Sequence, residues 1–132
     1  MKQREIKFRY IWQGPENEIK KYEYTLEELE QKDVSYVIAD YEISDWKLLG
    51  KLQYTGLKDK NGKEIYEGDI VNFQMTRKKL VDHPVMTAFE DETAIYQGAV
   101  EWGEFGWRPF VDGKAEKIEI IGNIYENPEL LK

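Results

Sequence analysis

The sequence predicts a mostly β fold, a small antiparallel barrel preceded by a β-hairpin and a short helix. Three patterns carry this. Ile6, Phe8, Tyr10 and Trp12 alternate with Lys7, Arg9 and Ile11, the period of a half-buried strand. From residue 48 onward, short apolar runs are separated by glycine turns. The run Gly68-Asp69-Ile70-Val71, followed by three more short strands, fits an SH3-like barrel. Residues 1–47 are expected to form the hairpin-and-helix extension, and residues 48–132 the barrel with a short helical turn at its end.

Taken in order, the first strand is expected over 6–12. Gln13-Gly14-Pro15-Glu16-Asn17 supplies turn residues, and 19–24 is the returning strand. Thr25-Leu26-Glu27-Glu28 has the spacing of a capping box and predicts a helix over 25–32. The β-branched run from Val34 to Ala39 predicts a strand, with 40–47 a connection. A strand is expected over 48–57. Asp59-Lys60-Asn61-Gly62-Lys63 is a hairpin turn, because asparagine and glycine tolerate positive φ. Strands at 64–66 and 70–73 flank the bend Glu67-Gly68-Asp69. Residues 76–84, with Arg77-Lys78-Lys79, read as an exposed loop. A strand over 85–89, the turn Glu90-Asp91-Glu92 and a long strand over 93–102 follow, with Gly98 a bulge. Turns at 103–106 and 112–114 separate strands at 107–111 and 118–121. Asn127-Pro128-Glu129 starts one final helical turn.

Composition narrows the chemistry. The chain has 132 residues and no cysteine, which removes disulfides, thiolate metal sites and cysteine nucleophiles. It has a single histidine, too few for a multi-histidine metal site, so neither a metal nor a cofactor is expected. The formal charge is −7, shared as −3 over residues 1–47 and −4 over 48–132, so neither part is a basic module. No stretch suits a signal peptide or a membrane span, and a cytoplasmic protein without a membrane partner is expected.

Two long runs and one short one carry a family resemblance. They are Gln53 to Val71, with Tyr54-Thr55-Gly56-Leu57 and Tyr66-Glu67-Gly68-Asp69, then Ile121 to Leu131, and the N-terminal Ile6-Lys7-Phe8-Arg9. In these runs the chain resembles the YopX family of bacteriophage and prophage proteins. The resemblance implies a phage or prophage origin in a bacterial cytoplasm and an SH3-like barrel with an N-terminal extension. It implies no activity and carries over no catalytic residues.

Candidate binding residues are Tyr54, Tyr66, Trp102, Phe105, Trp107 and Arg108. The two tyrosines either line a ligand groove or sit in turns where Gly56 and Gly68 supply backbone freedom and Asp69 accepts amides. The turn reading is preferred. Trp102, Phe105 and Trp107, with Tyr96 near them, either stack on nucleic-acid bases, pack in the core or anchor a protein partner. Glu101 and Glu104 beside them argue against bases. Arg77-Lys78-Lys79 with Lys51 reads as solvated charge rather than a phosphate site. His83, between Asp82 and Pro84, has no nucleophile linked to it. No spacing selects a catalytic carboxylate pair, a calcium loop or a phosphate loop. The expected function is therefore a non-enzymatic interaction protein with a host or phage protein as partner. A nucleic-acid-binding module is the alternative. Self-association through the N-terminal hairpin is a third reading, since strand edges can pair with another copy.

Overall fold

The computed structural model describes residues 5–82, 84–110 and 114–131. It is mostly β, with antiparallel pairing throughout. Strands β1 (Lys7–Gln13) and β2 (Ile19–Thr25) form the N-terminal hairpin, and β3 (Lys47–Lys58) and β4 (Glu64–Tyr66) complete a sheet of order β2-β1-β3-β4. Strands β5 (Asp69–Asp82), β6 (Thr87–Ala99) and, later in the chain, β9 (Glu116–Asn123) form a second sheet of order β6-β5-β9. Between them in sequence, β7 (Glu101–Gly103) and β8 (Gly106–Arg108) make a two-stranded hairpin. Among the described residues these sheets do not close into a barrel. Backbone bonds bridge them instead, such as Lys60 N–H, in the turn after β3, to the Ile118 carbonyl of β9 at 2.7 Å.

The first hairpin forms where its alternation and turn residues place it. Its inner strand is covered on both faces over residues 10–12, however, and on the Trp12 side the cover includes Tyr41, stacked on that indole at 5.1 Å. Tyr10, Ile11 and Trp12 are all buried, whereas a one-sided strand would have left Ile11 outside. Pairing of β1 with β3 satisfies that edge of the hairpin within the same chain.

The capping box is present. Thr25 Oγ1 accepts the Glu28 amide at 3.1 Å, and Glu28 accepts the Thr25 amide. The helix it starts, α1 (Leu26–Leu29), is only one turn long. The strand expected over 34–39 is instead a helix, α2 (Lys32–Glu42), which also takes in part of the expected connection. Val34, Ile38 and Tyr41 explain the change. They are spaced four and three apart and share a half-buried helical face, a period hidden by the β-branched run.

The loop expected over 76–84 and the turn at 90–92 are also corrected. Residues 76–82 continue β5, and 90–92 lie inside β6. The register places Arg77 opposite Glu92, Lys78 opposite Asp91 and Lys79 opposite Glu90. Opposite charges across a ladder stabilise it, so the basic and acidic runs belong to one ribbon. Thr76 and Thr93 join it through their hydroxyls at 2.8 Å. The strand expected from 85 begins at Thr87, and the one expected over 93–102 divides at Val100 between β6 and β7. Gly98 pairs with Val71 in unbroken register, so no bulge forms there. His83 and the expected turn at 112–113, with Val111 before it, lie outside the described residues.

The main core cluster is Ile65, Val71, Phe73, Val100 and Trp107. A 3-10 turn (Pro128–Leu131) ends the fold, where the Gln97 side-chain amide donates to the Leu130 carbonyl. The turn at 59–63 is tied by Asp59. Its Oδ1 accepts the Asn61 and Lys63 amides at 2.8 and 2.9 Å, and its Oδ2 accepts the Ile120 amide at 3.1 Å. Burial alone would raise this carboxyl; the three amides outweigh it and hold the group below its ordinary 3.8. A folded-state value below the unfolded one contributes stability above 3.8 that is lost as pH falls through the folded value. Asp59→Asn is expected to cost about 1–3 kcal/mol at neutral pH by leaving an amide unpaired. Thermal melts should show that gap narrowing in acid below the ordinary value, as the wild-type carboxyl protonates.

Candidate functional site

The three resemblance runs meet in one polar cleft of about 410 Å³. Strand β1 contributes Arg9, the β4–β5 bend Tyr66 and Asp69, and the end of β9 with its following turn Asn123, Glu126 and Asn127. The bend is local chemistry. Gly68 has φ +86°, and Asp69 Oδ2 accepts the Tyr66 amide at 2.8 Å. The other oxygen, Oδ1, accepts from Arg9 Nη1 at 3.0 Å, while Arg9 Nε donates to Glu23 at 3.0 Å. The guanidinium carbon also sits 4.1 Å from the Tyr66 ring centroid. Arg9 therefore joins β1, β2 and the β4–β5 bend.

On the other wall, Asn123 Oδ1 accepts the Tyr125 and Glu126 amides at 2.9 and 2.8 Å. Its side-chain amide donates to Glu126, which also pairs with Lys21 at 2.9 Å. These bonds hold Glu126 below the ordinary carboxylate range. Asp69 is only 2% exposed, and burial pushes its carboxyl up despite the Tyr66 amide and the Arg9 charge. Burial, with Glu64 and Glu23 nearby, pushes the Tyr66 phenol up to about 12. Its hydroxyl finds no hydrogen-bond partner among the described residues.

Chemically, the cleft is a set of ion pairs committed to one another. Glu23, Asp69 and Glu126 face Arg9 or Lys21, and Glu64 pairs with Lys7 at 2.7 Å. Among the described residues no serine, threonine or cysteine lines it. Among the described residues no cluster of histidine and acidic side chains has the makings of a metal site. The arrangement fastens the N-terminal strands to the end of β9.

The candidate residues fall into two places. Tyr54 and Tyr66 are buried with ring centroids 5.5 Å apart, and Tyr66 lines the cleft. Trp102, Phe105, Trp107 and Arg108 lie on the β7–β8 hairpin. Trp107 points into the core cluster, while Trp102 and Phe105 are 61% and 80% exposed. The indoles of Trp102 and Trp107 meet edge to face at 4.9 Å. Arg108 is exposed, 3.8 Å from Glu101. Tyr96 stacks on Phe73, a member of the core cluster that holds Trp107, at 5.8 Å. The basic run is matched by carboxylates, with Lys78 2.5 Å from Asp91 and Arg77 3.8 Å from Glu92. Arg9, Lys21, Asn123 and Glu126 were not among the candidates. Their signal was membership in, or pairing with, the resemblance runs at the two ends of the sequence.

Fold and cleft define a class: a mostly β protein whose antiparallel sheets are locked together by partly buried ion pairs. Within that class the chain belongs to the YopX family, whose model, described as YopX protein, matches residues 3–132. No curated protein matches the chain. Among the described residues no helix is long and apolar enough to cross a membrane.

Proposed function

We propose that the chain is a non-enzymatic protein-interaction module, that its partner is a host or phage protein, and that the β7–β8 hairpin makes the contact. One observation carries this reading. The short β7–β8 hairpin sets Trp107 of β8 in the core, with Trp102 of β7 packed on its ring yet largely exposed and Phe105 of the turn exposed beside them. Tryptophan and arginine are typical hot-spot anchors, and a rigid mount reduces the entropy lost on binding. Glu101 and Glu104 flank the rings, which favours a protein over a phosphate backbone. The SH3-like scaffold inferred from the family belongs to the same reading, with the two larger sheets as its walls.

The test is a pulldown from the bacterial host, with and without phage, comparing the parent with Trp102→Ser and Phe105→Ser. Phe105→Ser is expected to leave stability within about 0.5 kcal/mol, since the ring is exposed. Both variants are expected to lose the proteins that the parent retains. Equal retention by all three, or reproducible turnover of a small molecule by the parent, would overturn the proposal. A gel shift at ~50 mM salt would replace it with the nucleic-acid alternative.

A further inference from the structure

Charge is distributed less evenly than the balance of the two halves suggests. Residues 26–45 carry seven carboxylates against Lys32 alone, a net of −6 in a chain whose total is −7. Among the described residues none of the seven takes part in an ion pair. This segment is α1, α2 and the start of the link to β3, and neither helix buries a residue completely. Val34, Ile38 and Tyr41 form the half-buried side of α2. Tyr36, Asp40 and Ile43 repeat the same spacing on the opposite side, and all three are exposed, Ile43 by 85%.

Beside Asp40, where the two sides of α2 meet, lies an aromatic corner. The rings of Tyr41 and Trp46 meet at 82° with centroids 5.8 Å apart. With Asp40 and Ser44 they line a cavity of about 220 Å³. Tyr41 is held from behind, stacked on Trp12 at 5.1 Å and sharing a hydroxyl hydrogen bond of 2.9 Å with Tyr22. The fold already sets an ammonium group on these rings. Lys20 Nζ lies 4.7 Å from the Trp46 centroid and 6.0 Å from that of Tyr41. The rings thus suit an ammonium group, and an incoming lysine takes the place of Lys20, since two like charges do not share one ring face.

We propose that the outward stripe of α2, with the Tyr41–Trp46 corner, docks a lysine-rich segment of a partner protein, one lysine seating in the corner beside Asp40. The occupant follows from charge complementarity. Unpaired carboxylates interleaved with Tyr36 and Ile43 suit long aliphatic stems ending in positive charge, and they repel nucleic acid. None of these residues belongs to the β7–β8 hairpin, so the two surfaces stand or fall separately.

Calorimetric titration of the full chain with octalysine at ~50 mM salt tests this, with octaglutamate as the negative probe. Saturable octalysine binding is expected, weakening as salt rises. Asp40→Asn and Trp46→Leu should each weaken it by about three- to tenfold. Trp46→Phe, which keeps a ring, should retain most of the affinity and serves if the leucine variant fails to fold. Asp91→Asn, which removes a carboxylate of the β5–β6 ribbon, should leave the affinity unchanged. Absence of octalysine binding, equal binding by Asp40→Asn and the parent, or equal weakening by Asp91→Asn would overturn the proposal.

Discussion

Asp69→Ala is expected to lower the unfolding free energy by about 3–5 kcal/mol, the range for breaking a buried ion pair from one side. The alanine leaves Arg9, itself largely buried, without one of its two carboxylates, and leaves the Tyr66 amide without an acceptor. Asp69→Asn should cost less, because an amide oxygen can still accept. pH separates the two effects. Burial raises the Asp69 pKa in the folded chain, so the stability this group contributes is fullest below its ordinary 3.8 and declines as pH rises through the folded value. Parent and Asp69→Asn should therefore be closer at pH 7 than at pH 3, the opposite trend to Asp59→Asn. Chemical denaturation at the two pH values checks the sign, and a gap that widens towards pH 7 would contradict it.

Gly68→Val is expected to cost about 1–3 kcal/mol, from backbone strain at a positive φ. Room is not the obstacle. A β-carbon there would lie 3.4 Å from Leu52 and 3.6 Å from Ile124, ordinary contacts. The cost is conformational, at φ +86° in a residue whose amide and carbonyl bond Val100 and Ile124. Gly68→Asn should recover part of the loss, since asparagine enters the left-handed region more readily. Thermal melts of both variants would show it. If Val and Asn melt together well below the parent, strain is not the cause.

Some of this was legible from local chemistry and some was not. Turns came through clearly, because Asn61-Gly62, the Thr25–Glu28 box and Gly68-Asp69 act over four residues or fewer. Asp69 was read as tying a turn, which it does, but its larger role depends on Arg9, 60 residues away in sequence. Periodicity misled at 34–39, where β-branched residues looked like a strand and a 3.6-residue spacing was the true pattern. Charge misled at 77–79. A basic run looks like a solvated loop until its acidic complement at 90–92 is placed opposite it. Among the candidates, the buried and exposed aromatics could not be sorted, because Trp102 and Trp107 are cross-strand partners on one face of a short hairpin, and only contacts made beyond the hairpin cover Trp107 and leave Trp102 exposed.

The position of β9 has a consequence for the order in which the fold is made. Its residues fill the inner edge of β5 over 69–74, and its Ile120 amide completes Asp59, 61 residues earlier. During synthesis β5 and β6 can zip together at once as neighbours, but β5 then waits with that edge open until residue 116 and beyond have emerged. Contacts that far apart in sequence slow folding, and an open strand edge is the part of a nascent chain most prone to pair with the wrong neighbour. A chain stalled before β9 would thus present the wild-type core strand as a sticky edge, even though every residue of β1 to β8 is already in hand.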